Sequence, residues 1–291
     1  MGNIKLIAAD MDNTLMMKST AETLSNVSAM ERAKEAGAIL VPCTARPWYG
    51  AQSYFKLFPF DDYAITLNGA GLVHTHTGEI YRQENLSPKG VCDALAVLFS
   101  MEGIEGVRVN TTGGYAQWNP RIGEAMIEEK GPSLFGAWPF TNISYRDRDA
   151  FVDAIKEDTQ RILLFVKQTS MALHKEIEDA IGHLLEMEMH ITDSYLIEIT
   201  APGCDKGKTL LDLCSRLGIA QSEVMAIGDN MNDMSMIAWA GVGVAVDNAQ
   251  PALKEMADVV APPYEAGGIY AVIEEYLFGN KGQYGAPARV F

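Results

Sequence analysis

A chain of 291 residues, 48% hydrophobic and 21% charged, carries enough apolar material for a sizeable core in about two domains and is too apolar to be disordered. Asp and Glu total 38 against 23 Lys and Arg, a formal net charge of −15, which opposes attraction to nucleic acid or to an anionic membrane. An anionic substrate must then be held locally, by a metal ion or a few placed cations.

Ile4 to Ala9 is an apolar run without alternation, the pattern of a strand covered on both faces, and Asp10-Met11-Asp12-Asn13-Thr14 closes it. Ser25 to Ala36 reads as a helix stopped by Gly37. Ala38 to Cys43, Tyr63 to Leu67, Val224 to Ile227 and Val242 to Val246 are further short apolar strands, separated by helical or loop segments. Strands alternating with helices imply a Rossmann-like, doubly wound α/β core with a parallel sheet. A hairpin is expected at Gly71 to His74 and Glu79 to Arg82, then a helix at Pro88 to Met101. Strands follow at Val107 to Thr111 and Tyr115 to Trp118 around Gly113-Gly114, and at Arg161 to Lys167, Met187 to Thr192 and Tyr195 to Thr200, with an amphipathic helix at Met171 to Glu186. This reading places an inserted α/β domain at residues 86–194 and the core at 1–85 plus 195–291. The tail from Gly279 to Phe291, rich in Gly and Pro, is expected to be loosely held.

No run approaches the roughly 20 apolar residues of a membrane span, and the first residues show no signal-peptide pattern, so the chain reads as cytoplasmic. Cys43, Cys92, Cys204 and Cys214 are scattered without a C-x-x-C pair, which favours buried thiols over a zinc site or a disulfide framework. His74, His76, His183 and His190 have no convincing set of metal partners.

Asp10 and Asp12 leave the first buried strand two residues apart, so both side chains point to one side at the edge where open α/β sheets place their sites. A lone D-x-D also shapes turns, but a charge directly after a buried run is costly unless it meets a cation. Thr44 ends the second strand. In Gly228-Asp229-Asn230-Met231-Asn232-Asp233 the strand-then-carboxylate arrangement recurs. Lys206 lies just before a helix expected at Thr209 to Leu217, where a cation opposes the helix dipole and so invites a functional explanation.

In this order the segments resemble the four motifs of the haloacid dehalogenase-like superfamily, most closely its Cof-type sugar-phosphatase branch. Asp10-Met11-Asp12-Asn13-Thr14-Leu15 is similar to the nucleophile loop, Thr44 and Lys206 match the second and third motifs, and Gly228-Asp229-x-x-Asn232-Asp233 matches the fourth. Gly243-Val244-Ala245-Val246-x-Asn248-Ala249 and Ala257-Asp258 extend the likeness, and the insertion falls where that branch carries its cap. Asn13 and Ala45 stand where the family usually has Gly; Asn tolerates positive φ, whereas Ala45 leaves the loop after Thr44 in question.

The resemblance implies a Mg²⁺-dependent phosphatase acting on a small phosphorylated metabolite through an aspartyl-phosphate. Asp10 would be the nucleophile and Asp12 the acid/base, with Thr44, Arg46, Lys206 and Asn232 on phosphate or substrate. Asp10, Asp229 and the Asp12 carbonyl would hold the metal, with Asp233 on it directly or through its outer shell. The cap would read the leaving group, and Tyr115, Trp118 and Trp138 are aromatic candidates whose ordinary role is packing, as it is for Met231, Met234 and Met236. A phosphomutase on the same scaffold and a receiver-like phospho-acceptor are the alternatives; receivers are about half this length and place their acceptor Asp after a later strand.

Overall fold

The computed structural model describes residues 4–112, 114–119, 127–129, 132–133, 136–137, 141–155 and 159–280. It begins with β1 (Leu6–Asp10), α1 (Thr20–Glu35), β2 (Ile39–Cys43), α2 (Trp48–Phe55), β3 (Tyr63–Thr66), β4 (Gly71–His74) and β5 (Ile80–Gln83). A middle stretch follows, with α3 (Pro88–Leu98), β6 (Ile104–Thr111), β7 (Gly114–Trp118), β8 (Ile127–Glu129), β9 (Pro132–Ser133), β10 (Gly136–Ala137), β11 (Thr141–Tyr145), α4 (Arg148–Asp153), β12 (Thr159–Val166), α5 (Met171–Ile181), β13 (Glu188–Asp193) and β14 (Leu196–Thr200). The chain then continues through α6 (Lys206–Leu217), β15 (Val224–Gly228), α7 (Met234–Trp239), β16 (Val242–Ala245), α8 (Pro251–Met256), β17 (Val259–Val260) and α9 (Gly268–Ile273).

By internal contacts the chain divides into two units, Met1–Arg82 with Asp205–Phe291, and Gln83–Cys204. The first contains an eight-stranded sheet in the order β17-β16-β15-β1-β2-β3-β4-β5. The six strands from β17 to β3 are parallel. All five residues of β1 are buried, and so are all five of β15, which is why these strands read as unbroken apolar runs. From β1 the chain winds one way to β2 and β3, and from β15 it winds the other way to β16 and β17. Right-handed crossovers then put the two sets of helices on opposite faces, in keeping with the packing of α1 on α9 and of α6 on α7.

The second unit has a seven-stranded sheet in the order β13-β14-β12-β6-β7-β11-β8, antiparallel except for the β7–β11 pair, and a separate β9–β10 ladder. Val107, Val109, Ile162, Leu164, Ile197 and Ile199 alternate as its buried apolar positions. The intervening positions carry Arg108, Asn110, Arg161 and Glu198, with Arg161 paired to Glu198 at 3.3 Å. Trp118 is buried, meets Phe99 edge-on and donates its indole N–H to the Arg146 carbonyl, which makes it part of this unit's packing. Tyr115 lies against the Arg108 guanidinium. Trp138, Gly113 and residues 281–291 of the tail lie outside the described residues.

Several boundaries differ from the sequence reading for local reasons. α1 starts at Thr20, five residues early, because Ser19 caps it by accepting from the Glu22 N–H. α5 stops at Ile181 with Gly182 as its C-cap, and the residues up to Glu186 fall outside it. α6 begins at Lys206, where Asp205 accepts from the Lys208 N–H. β14 pairs with β12 and β13, so residues 196–200 belong to the sheet of the second unit. α2 follows Pro47 and lasts only eight residues, too short for its periodicity to register.

One close approach fixes the loop after β3 against the start of α6. Gly69 has φ +101°, and a Cβ there would lie 2.2 Å from the Asp205 carbonyl oxygen. Gly69→Ala is therefore expected to lower stability by at least the roughly 1–3 kcal/mol typical of overpacking, read as a reduced midpoint in urea unfolding.

Candidate active site

β1 is flanked by β15 on one side and β2 on the other, so the direction of winding reverses between β1 and β15. Crevices at such a reversal, beyond the carboxyl ends of the strands, are where open α/β sheets bind ligands. Asp10 is the last residue of β1, Thr44 follows β2, and Asp229 follows β15. Lys206 enters the same place as the first residue of α6.

Lys206 is fully buried and donates to Asp10 Oδ1 and to Asp233 Oδ1, each at 2.6 Å. Burial disfavours its ammonium form, but the two carboxylates outweigh that and hold its pKa above the ordinary value. The other oxygen of Asp233 accepts from the backbone N–H groups of Asp229 and Asn230 at 3.0 and 3.1 Å. Asp233 can come this near because residue 228 is Gly: a Cβ there would lie 2.5 Å from that of Asp233.

Asp10, Asp229 and Asp233 offer carboxylate oxygens that all lie within 4.8 Å of one another. Burial pushes the Asp10 carboxyl up from 3.8 to about 8, against the attraction of Lys206, and Asp233 and Asp229 add repulsion. Burial and then Asp233 raise Asp229 as well, against the Thr14 hydroxyl that donates to it at 3.0 Å. Three clustered carboxylates with one ammonium are short of positive charge, and an all-oxygen set suits a hard divalent cation. Asp10 and Asp229 each keep one oxygen outside the hydrogen bonds just described, whereas both Asp233 oxygens are engaged. The arrangement fits a metal on Asp10 and Asp229, with Asp233 ordering Lys206 and the loop around it.

Asp12 is not part of this cluster. Its carboxylate accepts from Arg46 Nε at 2.7 Å and from the Arg46 terminal nitrogen at 2.6 Å, a bidentate pair at side chains 47% and 40% exposed. Those hydrogen bonds raise the Arg46 pKa against the effect of burial. Asn13 has φ +62°, the left-handed conformation in which Gly would otherwise stand, and its carbonyl accepts from the Asn248 side chain at 2.8 Å. Ala45 does not have positive φ, so the loop after Thr44 keeps its course without Gly.

Thr44 is fully buried, and its hydroxyl accepts from the Arg46 N–H at 3.1 Å. Asn232 is turned to Asn68, donating to its side-chain oxygen at 2.9 Å. Asn68 and Thr14 were not singled out as site residues by the sequence reading. Leu67 and Asn68 both adopt positive φ, and the Asn68 N–H donates to the Thr44 carbonyl at 3.2 Å. This turn touches the segments of Thr44, Lys206 and Asn232 together. The only sequence signal for it was Asn68-Gly69 directly after a strand.

The model of one family, haloacid dehalogenase-like hydrolase, matches residues 7–273. The chain is 30% identical to the putative phosphatase YxeH of Bacillus subtilis over 95% of its length and 99% of that protein's. It is 26% identical to the phosphatase YwpJ of the same organism, covering 94% of this chain and all of the other. A solved sugar phosphatase of haloacid dehalogenase subclass IIB superposes with a TM-score of 0.69 at 23% identity, over 94% of this chain and 99% of that one.

Replacing Lys206 leaves Asp10 and Asp233 buried without their cation. Lys206→Met should lose about 3–5 kcal/mol in denaturant unfolding, and adding Asp10→Asn should recover part of that loss. In metal-free protein Asp10 has a raised pKa, so the folded state binds its proton more tightly than the unfolded state between pH 3.8 and about 8. Its contribution to stability is retained below that window and lost as pH rises through it. The stability difference between wild type and Asp10→Asn should thus move against wild type from acid to pH 8, measured by urea titration in chelator.

Proposed function

The chain belongs to the haloacid dehalogenase-like hydrolase family and is a phosphatase, and on that premise we propose that it hydrolyses a small phosphorylated metabolite, a sugar phosphate or similar monoester, with Mg²⁺ and through a phosphoryl group carried on Asp10. The observation that carries this reading is the separation of the two carboxylates of the first loop. Asp10 is buried in the cluster with Lys206, Asp229 and Asp233, while Asp12 is held outside it by Arg46. Two carboxylates in such different surroundings are suited to different work.

Mg²⁺, held by Asp10, Asp229 and the Asp12 carbonyl, would supply positive charge to offset the repulsion between a carboxylate nucleophile and a phosphate ester. Asp10 attacks phosphorus in line as the bond to the leaving oxygen breaks. Thr44 and Lys206 hold the phosphoryl oxygens, and Lys206 also steadies Asp10. Asp12 gives a proton to the leaving oxygen, then takes one from the water that attacks the phosphoryl group on Asp10, which frees phosphate and restores both carboxylates. The net charge of −15 supports a small substrate over a nucleic acid. No helix among the described residues is long and apolar enough to cross a membrane, which is in keeping with action on a dissolved substrate.

Release of inorganic phosphate across a panel of phosphorylated metabolites with Mg²⁺ tests the reading, and full activity in excess chelator would remove the metal from it. Asp10→Asn should abolish reaction even with an activated aryl phosphate. Asp12→Ala should slow the first step far more for an alkyl than for an aryl monoester, by about 10² to 10⁴-fold. Rapid-quench trapping should find label on Asp10 in that variant. Label elsewhere, or equal losses for both esters, would overturn the division of roles, and transfer of label to an added sugar instead of water would mark a mutase.

A further inference from the structure

Arg46 holds both oxygens of Asp12 in a planar, two-pronged grip. In that arrangement the carboxylate faces the guanidinium, and to exchange a proton with a leaving oxygen it must turn away. The pair is also half open to solvent, unlike the Lys206 pairs, which are sealed. That opening gives a dissolved anion access to the guanidinium, so Asp12 can be exchanged for another two-oxygen acceptor. The remainder of Arg46 is tethered: its N–H donates to Thr44 Oγ1 at 3.1 Å, its carbonyl accepts from the Leu67 N–H at 3.1 Å, and its guanidinium lies 4.8 Å from the Tyr54 ring centre. Releasing Asp12 therefore leaves the guanidinium beside the place where Asp12 does its work, the leaving-group side of the phosphorus.

We propose that Arg46 is a positioning residue that latches Asp12, and that an anionic group on the substrate's leaving portion takes over the guanidinium and sets the carboxylate free. This rests on the roles given above to Asp10 and Asp12. The substrate class it specifies is a monoester whose leaving group carries its own carboxylate or second phosphoryl group, since both match the two-pronged donor set of Arg. Lys206 is already committed to Asp10 and Asp233, so Arg46 is the cation placed to meet an anionic leaving group. A neutral leaving group must open the latch with nothing to replace Asp12, whereas an anionic one exchanges one carboxylate-like partner for another.

The consequence is a competition between Asp12 and the ligand for one guanidinium, which a purely structural role for Arg46 does not produce. With Mg²⁺ present, calorimetry would compare phosphonoacetate, which carries the extra carboxylate, with ethylphosphonate, which does not. Asp12→Asn should tighten phosphonoacetate several-fold more than ethylphosphonate, and that difference should vanish in the Arg46→Met background, which separates competition for the guanidinium from the loss of a negative charge. Arg46→Met should weaken phosphonoacetate alone, by roughly 10- to 100-fold, the range for a hydrogen bond to a charged group, and Arg46→Lys should restore part of the loss. In turnover, wild type should prefer phosphoglycolate, or the bisphosphate of ethylene glycol, to 2-hydroxyethyl phosphate. That preference should appear in kcat as well as KM and should vanish in Arg46→Met; whichever charged ester is preferred identifies the group. Equal changes for both phosphonates, or weaker phosphonoacetate binding in Asp12→Asn, would overturn the latch. If that happened while wild type still hydrolysed monoesters, the phosphatase reading would stand and the latch alone would fall.

Discussion

The buried ammonium of Lys206 sets the terms for the rest of the core. A charge with no exposed surface is tolerated only if carboxylates meet it at hydrogen-bond distance, and Asp10 and Asp233 do so at 2.6 Å each. To satisfy that demand the end of β1, the start of α6 and the turn after β15 must converge on one point. Gly228 clears the space for Asp233, and two backbone N–H groups fix its second oxygen. The result is a site whose geometry is set by the fold, at the point of the sheet where the winding reverses.

Around this sealed centre the charges are graded by access to water. Asp10 is buried and Asp229 nearly so, Thr14 and Lys206 compensate them only in part, and the cluster is left attractive to a divalent cation. Asp12, two residues after Asp10, is half exposed and has an Arg of its own. The two carboxylates, two residues apart in sequence, meet different cations: Lys206 holds Asp10 in the buried cluster and Arg46 holds Asp12 at its half-open margin.

What the sequence displayed and what it hid follow from the same physics. The central strands were legible because burial on both faces demands unbroken apolar runs, as in Leu6 to Ala9 and Val224 to Ile227. The carboxylates and Lys206 were legible because their charge interrupts such runs or opposes a helix start. Less visible were features fixed by a single hydrogen bond or by backbone shape. The Ser19 cap lengthened α1, the eight-residue α2 was too short to show periodicity, and β14 has the same apolar character whichever sheet it joins. The turn at Leu67 and Asn68 was hidden for a further reason: Leu carries no signal of positive φ, and the role of Asn68 lies in partners distant along the chain.

The Lys206 to Asp10 contact spans 196 residues of sequence, and β1 pairs with β15 on one side from Leu6 to Ala9. During synthesis at about 5–20 residues per second, the ribosome delivers β15 roughly 10–40 seconds after β1. For that interval β1 can pair with β2, but its other edge, apolar on both faces, has no native neighbour, and such an edge invites association with other nascent chains. The inserted unit is made during this interval. An insertion that closes its own sheet through internal pairings shortens the time for which unstructured chain hangs between the halves of the core. Prompt pairing of strands within residues 83–204, which have a sheet of their own, would therefore limit that exposure before the second half of the core is made.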